Sequence, residues 1–270
     1  MKNPTVITIT NRKGGVGKTA TVVNTGAGLA INGHKVLLID LDPSQANLTM
    51  SLIGRIPNDG PGIIRGLLDD TVTIEDITYE TPTTNLYIIP SEKTIDGKDA
   101  DVEMALKDEI GRENFLKDLL DCDFIKTFDY VLIDNGPKLG LLTINSLNAS
   151  DFFIVPTNTD ILSLSGLADT LKVTEKVKKL NPKLKNLGFL MTKVDKRLKN
   201  TKDAREFLNS QFSEQIFESS ISTNAKFLSL PENQKTIFDV ENKSGKGHKD
   251  FMNFVGELTT RVETSMDGEV

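Results

Sequence analysis

Residues 5–10 read Thr-Val-Ile-Thr-Ile-Thr, and residues 11–19 read Asn-Arg-Lys-Gly-Gly-Val-Gly-Lys-Thr. A β-branched run that ends in glycines and opens a helical stretch specifies a strand, a tight turn and a helix, in that order. Such a junction points several backbone N–H groups at one spot, where the helix N-terminus adds partial positive charge. Gly14, Gly15 and Gly17 let the backbone pass close to an anion. The common phosphate-loop pattern, G-x-x-x-x-G-K-[ST], needs glycine where this chain has Arg12. Here lysines stand at both ends of the glycine stretch, Lys13 and Lys18. Lys18 is expected to reach the β- and γ-phosphates of a nucleotide, and the Thr19 hydroxyl to ligate Mg²⁺. One lysine suffices for that, so Lys13 needs a separate explanation.

Strand-like apolar runs alternate with helical stretches along the rest of the chain. The runs are Val6–Thr10, Lys35–Ile39, Leu86–Ile89, Tyr130–Ile133, Phe152–Val155 and Leu187–Met191. Several are apolar at nearly every position, which suits parallel strands buried on both faces. Helical stretches are expected over about 18–32, 99–120, 141–149, 164–180 and 201–212. The alternation predicts an α/β fold, a doubly wound, mostly parallel sheet flanked by helices, as one domain over residues 1–270. The proline-containing stretch 53–84 reads as a helical insertion with irregular loops. A last helix near 248–264 puts Phe251, Phe254, Val255, Leu258 and Val262 on one stripe, which predicts core packing.

Two strands end in acidic residues. Asp40-Leu41-Asp42-Pro43 follows Val36–Ile39, and Asp134 follows Tyr130–Ile133. Ligands of open α/β sheets bind at the carboxyl ends of strands, so Asp40, Asp42 and Asp134 are expected to converge near Thr19. The net charge of −6 hides an asymmetry, because residues 170–249 hold 17 Lys and Arg against 9 Asp and Glu. That excess hints at a polyanion-binding face. A single cysteine, Cys122, excludes a disulfide framework and a four-cysteine metal site within one chain. No apolar stretch is long enough to span a membrane, and the few residues before the first strand leave no room for a signal peptide. We therefore expect a cytoplasmic protein.

In these motifs the chain resembles the ParA/Soj partition ATPases of the deviant Walker A P-loop group, which also holds MinD. The resemblance rests on Lys13–Thr19, on Asp40-Leu41-Asp42-Pro43, and on Asp134 with Pro137 and Leu139–Asn145. It continues through Leu164–Leu167 to Ile221–Asn224. It implies ATP and Mg²⁺ as cofactors, with Lys13, Gly14, Gly15, Val16, Gly17, Lys18, Thr19, Ala20 and Asn224 binding nucleotide. Lys13 is then the signature lysine that crosses an ATP-bound homodimer to the partner's phosphates. Asp42 orients the attacking water, and Thr19, Asp40 and Asp134 surround the metal. Asn224 contacts adenine. Non-specific DNA binding by the ATP dimer is implied for Lys196, Arg197, Lys199, Lys202, Arg205 and Lys226, which makes the protein nucleoid-associated. A ParB-like centromere-binding protein is the implied partner that stimulates a weak intrinsic ATPase.

The chain departs from the family pattern in places. The family's Asp-x-Pro-Pro becomes Asp134-Asn135-Gly136-Pro137, and its Asp-Pro-Gln becomes Asp42-Pro43-Ser44-Gln45, longer by one residue. Thr192-Lys193-Val194-Asp195 resembles the guanine-reading [NT]-K-x-D of GTPases, although ATP is the expected nucleotide. Three other readings fit the sequence less well. A MinD-like membrane-associated positioning ATPase wants a basic amphipathic C-terminal helix, and this one carries Asp250, Glu257 and Glu263. A reductive iron–sulfur ATPase needs paired cysteines, and a non-hydrolysing scaffold has no use for Asp42. With only four residues before the first strand, no N-terminal operator-binding motif is expected.

Overall fold

Thr5–Ile9, buried at every position, form strand β1, and the glycine-rich turn leads from it into helix α1 (Lys18–Ile31). This is a computed structural model, and it describes residues 2–95, 98–99, 102–106, 109–159, 161–195 and 197–267. Strand β2 (Val36–Leu41) follows, then α2 (Asn47–Leu52), α3 (Ile63–Leu68), β3 (Tyr79–Glu80) and β4 (Leu86–Ile89). A small hairpin of β5 (Thr94–Ile95) and β6 (Lys98–Asp99) precedes α4 (Val102–Ala105) and α5 (Phe115–Leu120). The chain continues through β7 (Tyr130–Asn135), α6 (Leu141–Asn148), β8 (Phe152–Asn158), α7 (Ile161–Val177), β9 (Lys185–Val194) and α8 (Lys199–Phe212). It closes with β10 (Ile216–Ser222), α9 (Ile237–Val240) and α10 (Lys246–Asp267).

The main sheet has the order β10-β9-β8-β1-β7-β2-β4-β3. All its pairs are parallel except β3 with β4. Alternate strand residues feed opposite faces, as the pleat requires. Ile7, Ile9, Leu38 and Leu132 pack against Val22, Leu29, Phe254 and Leu258 of α1 and α10. Val6, Leu37, Ile39, Val131 and Ile133 pack against Ile64, Leu67 and Leu116 of α3 and α5. This is the expected doubly wound α/β architecture. The stripe on α10 is buried throughout, as predicted, with Phe251, Phe254, Val255, Leu258 and Val262 in the core. Among the described residues, no helix is long and apolar enough to cross a membrane.

The structure corrects two expectations. Among the described residues, the segment 99–120 is not a single helix: it starts in β6 and holds the short α4 and α5, with a turn at Gly111 (φ 72°) between them. Strand β10 escaped the list of strand-like runs because Glu218, Ser219 and Ser220 interrupt its apolar pattern at the sheet edge. The loop after β1 lies at the centre of the sheet, flanked by the carboxyl ends of β7 and β8. From β1 the chain runs to β2 on one side and from β7 it crosses to β8 on the other, so the strand order reverses here, the position where doubly wound sheets bind ligands.

Candidate functional site

Two left-handed residues shape the loop, Gly15 at φ 72° and Gly17 at φ 85°. Side chains disfavour that conformation, which is why glycine recurs here. A Cβ built on Gly14 or Gly15 would meet no atom within 4 Å, so the loop faces open space. Its other side is anchored. Asn11 accepts from the Lys13 N–H (2.9 Å) and donates to the Pro156 carbonyl (2.8 Å). The Thr192 hydroxyl donates to the carbonyl of the buried Val16 (2.7 Å). Thr192 thus gives its motif a local role, holding the loop against β9. The Arg12 side chain, at the position that breaks the common pattern, reaches Asp169 on α7 in an ion pair.

Lys18 is buried, and its Nζ donates to the carbonyls of Asn11 (3.1 Å) and Lys13 (3.3 Å). Burial lowers its pKa, against the opposing pull of Asp134 and Asp42. Lys13 is half-buried at the loop entrance, and Ala20 lies on the first turn of α1. The Thr19 hydroxyl donates to Asp134 Oδ2 (2.7 Å).

Asp40 and Asp134 are register partners on β2 and β7, side by side. Asp134 is pushed up to about 8, first by burial and then by the charge of Asp40. Asp40 is raised to about 6 by burial. Their surroundings differ. Both Asp40 oxygens are engaged, Oδ1 by the Asp42 N–H (3.1 Å) and Oδ2 by the Thr49 N–H (2.9 Å) and hydroxyl (2.8 Å). Asp134 Oδ1 is buried and lacks a partner among the described residues, as does Thr10 Oγ1 at the end of β1. An unsatisfied buried carboxylate oxygen beside a threonine hydroxyl suits a hard divalent cation. Thr19 and Asp134 therefore fit a direct role there, with Asp40 one step behind them, bracing the turn that carries Asp42. Asp42 is half-buried, and its carboxylate faces Gly136.

A cavity of about 460 Å³ opens at the carboxyl ends of β9 and β10, lined by Val194, Asp195, Arg197, Thr223 and Lys246. It is large enough for a nucleoside. Asn224 adjoins it. The Asn224 side chain donates to Glu241 (2.8 Å) and accepts from the Lys226 N–H (3.0 Å). Asp195 is fully engaged by Arg197, through Nε (2.9 Å) and NH2 (2.7 Å), and this pairing holds it down at about 2. A second cavity, of about 530 Å³, lies at the other end of the strands, around Phe153, Asn186 and Phe212.

The basic residues singled out in the sequence gather at the β10 edge. Lys199, Lys202 and Arg205 lie on α8, Arg197 just before it and Lys226 just after β10. Lys196 falls outside the described residues. Arg197, Arg205 and Lys226 are paired with Asp195, Glu218 and Glu241, respectively. Lys199 and Lys202 are exposed. The supporting roles of Asn11 and Thr49 are not spelled out in the sequence, which marks Thr192 only for its likeness to a guanine-reading motif; these roles rest on hydrogen bonds made in the fold. Only Asn11 carried a local sign, as an Asx residue two positions before the amide it caps.

A family model described as an AAA domain matches residues 4–186. The sporulation initiation inhibitor protein Soj of Bacillus subtilis is 36% identical over 254 residues, covering 94% of this chain and 97% of its own. A putative plasmid partition protein from Borrelia burgdorferi, solved with AMPPNP, superposes with a TM-score of 0.76 at 26% identity, covering 96% of this chain and 99% of the other. A cobyrinic acid a,c-diamide synthase from Mycobacterium smegmatis, solved with ADP and magnesium, gives a TM-score of 0.75 at 30% identity, covering 96% of each chain. The loop, the sheet around it and these likenesses agree: the chain belongs to the Soj/ParA family of P-loop ATPases.

Proposed function

We propose that this ATPase serves DNA partition, dimerising on ATP, holding DNA non-specifically and hydrolysing ATP under a ParB-like centromere-binding partner. The observation that carries the reading is the loop with two lysines. Lys18 lies inside the loop and accounts for phosphate binding within one chain. Lys13, half-buried at the loop's entrance, is assigned to the phosphates of a second copy. Such a lysine neutralises charge that develops during phosphoryl transfer, as an arginine finger does.

The backbone N–H groups of residues 14–19 cradle the phosphates, and Lys18 exchanges its loop carbonyls for phosphate oxygens. Thr19 and Asp134 hold Mg²⁺, which supplies charge neutralisation when bound. Asp42 accepts a hydrogen bond from the attacking water and so orients it. With half of the apparatus in the second subunit, intrinsic turnover is slow. Asn224 and the neighbouring cavity take the adenine. Arg197 pairs with the Asp195 carboxylate and so competes for it with a guanine, which favours ATP.

DNA is held along the β10 edge by Arg197, Lys199, Lys202, Arg205 and Lys226, together with Lys196, and the protein works in the cytoplasm on the nucleoid. The test is DNA retention by the wild type with ATP and with ADP, and by Lys13→Ala with ATP. Retention by the wild type with ATP alone, lost in Lys13→Ala, is expected. Binding indifferent to nucleotide, or none in any state, sinks the reading.

A further inference from the structure

Two departures from the family pattern meet at one side chain. Ser44 is the residue that lengthens the segment after Asp42, and Gly136 stands where the pattern has its first proline. The Ser44 hydroxyl donates to Asp42 Oδ1 at 2.5 Å. On the opposite side, a Cβ built on Gly136 would lie 2.9 Å from the Asp42 carboxyl carbon and 3.0 and 3.2 Å from its two oxygens. The shortest of these is closer than carbon atoms pack and the others are tight, so any side chain at position 136 presses on space that the Asp42 carboxylate now fills. The left-handed region is not what demands glycine here, since residue 136 lies outside it. Room is.

We propose that Ser44 and Gly136 act together as positioning residues for the Asp42 carboxylate in ATP hydrolysis. The proposal rests on the reading of Asp42 as the residue that orients water. The extra residue is what brings the hydroxyl into place. Ala46 adopts a left-handed conformation (φ 48°, ψ 42°), and its N–H closes a turn onto the Asp42 carbonyl at 2.6 Å. That turn folds Ser44 back beside Asp42. The Asp42 main chain is pinned through its N–H to Asp40 Oδ1. With the backbone fixed, the carboxylate has one freedom left, rotation about its side-chain bonds. Ser44 and the bare face of Gly136 select its setting. Oδ1 is then committed to Ser44, and Oδ2 has no partner among the described residues. It is the oxygen that faces a water. A proline at 136 would occupy this position for the carboxylate, and a shorter segment would remove the hydroxyl.

The test is single-turnover hydrolysis of radiolabelled ATP by the full chain, with nucleotide affinity measured in parallel. Ser44→Ala should slow hydrolysis about tenfold, the order expected for one hydrogen bond to a charged group, and Ser44→Thr should restore it. Gly136→Ala should slow it about tenfold, by pushing the carboxylate a few tenths of an ångström out of its setting. Affinity for ATP should stay within about twofold in all three, which also reports that each variant folds. In an Asp42→Ala background, Gly136→Ala should cost nothing further, because the group it displaces is gone. A slow Asp42→Ala with wild-type rates in Ser44→Ala and Gly136→Ala overturns the proposal alone. So does a Gly136→Ala loss that persists on top of Asp42→Ala. A wild-type rate in Asp42→Ala itself overturns the assignment of Asp42 and the proposal with it.

Discussion

Replacing Asp134 by Asn should abolish the fall in stability with rising pH that this carboxyl contributes at the centre of the site. Asp134 is 2% exposed and sits beside Asp40. Burial, reinforced by that neighbour, raises it from 3.8 in the unfolded chain to about 8 in the fold. A carboxyl so raised is protonated in the native state and ionised in the unfolded one across that window. Unfolding then releases a proton, and stability falls as pH rises. The contribution is fully present below 3.8 and lost as pH passes through about 8. The slope for one proton reaches about 1.4 kcal/mol per pH unit. Between pH 6 and pH 8 the nucleotide-free wild type should therefore lose about 2–3 kcal/mol relative to Asp134→Asn. Asn retains the acceptor for the Thr19 hydroxyl and has nearly the same shape, so it removes titration with little change in packing. The assay is urea denaturation of both chains at half-unit pH steps without nucleotide or metal, compared through their midpoints. Curves that run parallel from pH 6 to pH 8 would refute the reasoning, since they would mean that Asp134 is already ionised in the fold.

One further prediction concerns the brace behind the site. Thr49 Oγ1 donates to Asp40 and accepts the Ser91 N–H at 3.0 Å, all buried, so Thr49→Val strands one amide and takes a donor from a carboxylate. Denaturation midpoints should show a loss of about 2–4 kcal/mol. The loss should be larger at pH 8 than at pH 5, because the hydroxyl favours the ionised form of an Asp40 raised to about 6.

The fold was legible because its central strands are apolar on both faces. Val36–Ile39 and Tyr130–Ile133 bury every residue, and such runs are hard to mistake for amphipathic helices. The edge was less legible. Half of β10 faces water or α10, so Glu218, Ser219 and Ser220 dilute the pattern that marked the interior. The segment 99–120 looked helical by periodicity, but periodicity does not register the turn made at Gly111. At the site, loop residues were readable because local spacing dictates phosphate-binding backbone geometry. The support given by Thr49 and Thr192 was not, since Thr49 folds back nine residues to Asp40 through a turn and Thr192 reaches the loop from a distant strand. Ser44 and Gly136 were visible only as departures from a pattern, and their proximity to the same carboxylate is a property of the fold.

Charge at the β10 edge raises a last question of accounting. The sequence counts cations, whereas DNA binding depends on cations free to replace counterions. Lys226 is held by Glu241 (3.4 Å), a buried carboxylate that also accepts from Asn224 (2.8 Å) and from the His248 N–H (3.1 Å). One acidic group thus serves the residue proposed for adenine and a residue proposed for DNA. If Asn224 turns towards a base, Glu241 loses a donor and tightens on Lys226; if Lys226 turns towards a phosphate, Glu241 tightens on Asn224. Under these proposed roles the two engagements compete locally for one carboxylate, while dimerisation sets the overall dependence of DNA retention on ATP. Glu241→Gln neutralises the tether while leaving a carbonyl for Asn224. In the ATP state it should strengthen DNA retention about threefold or more at fixed salt, the gain expected from releasing one surface ion pair, without steepening the salt dependence beyond one additional phosphate contact per chain. Salt titrations of both proteins measure this. Unchanged retention together with an unchanged slope would mean that Lys226 never reaches the phosphates, and would move the DNA face onto Lys199 and Lys202 on α8.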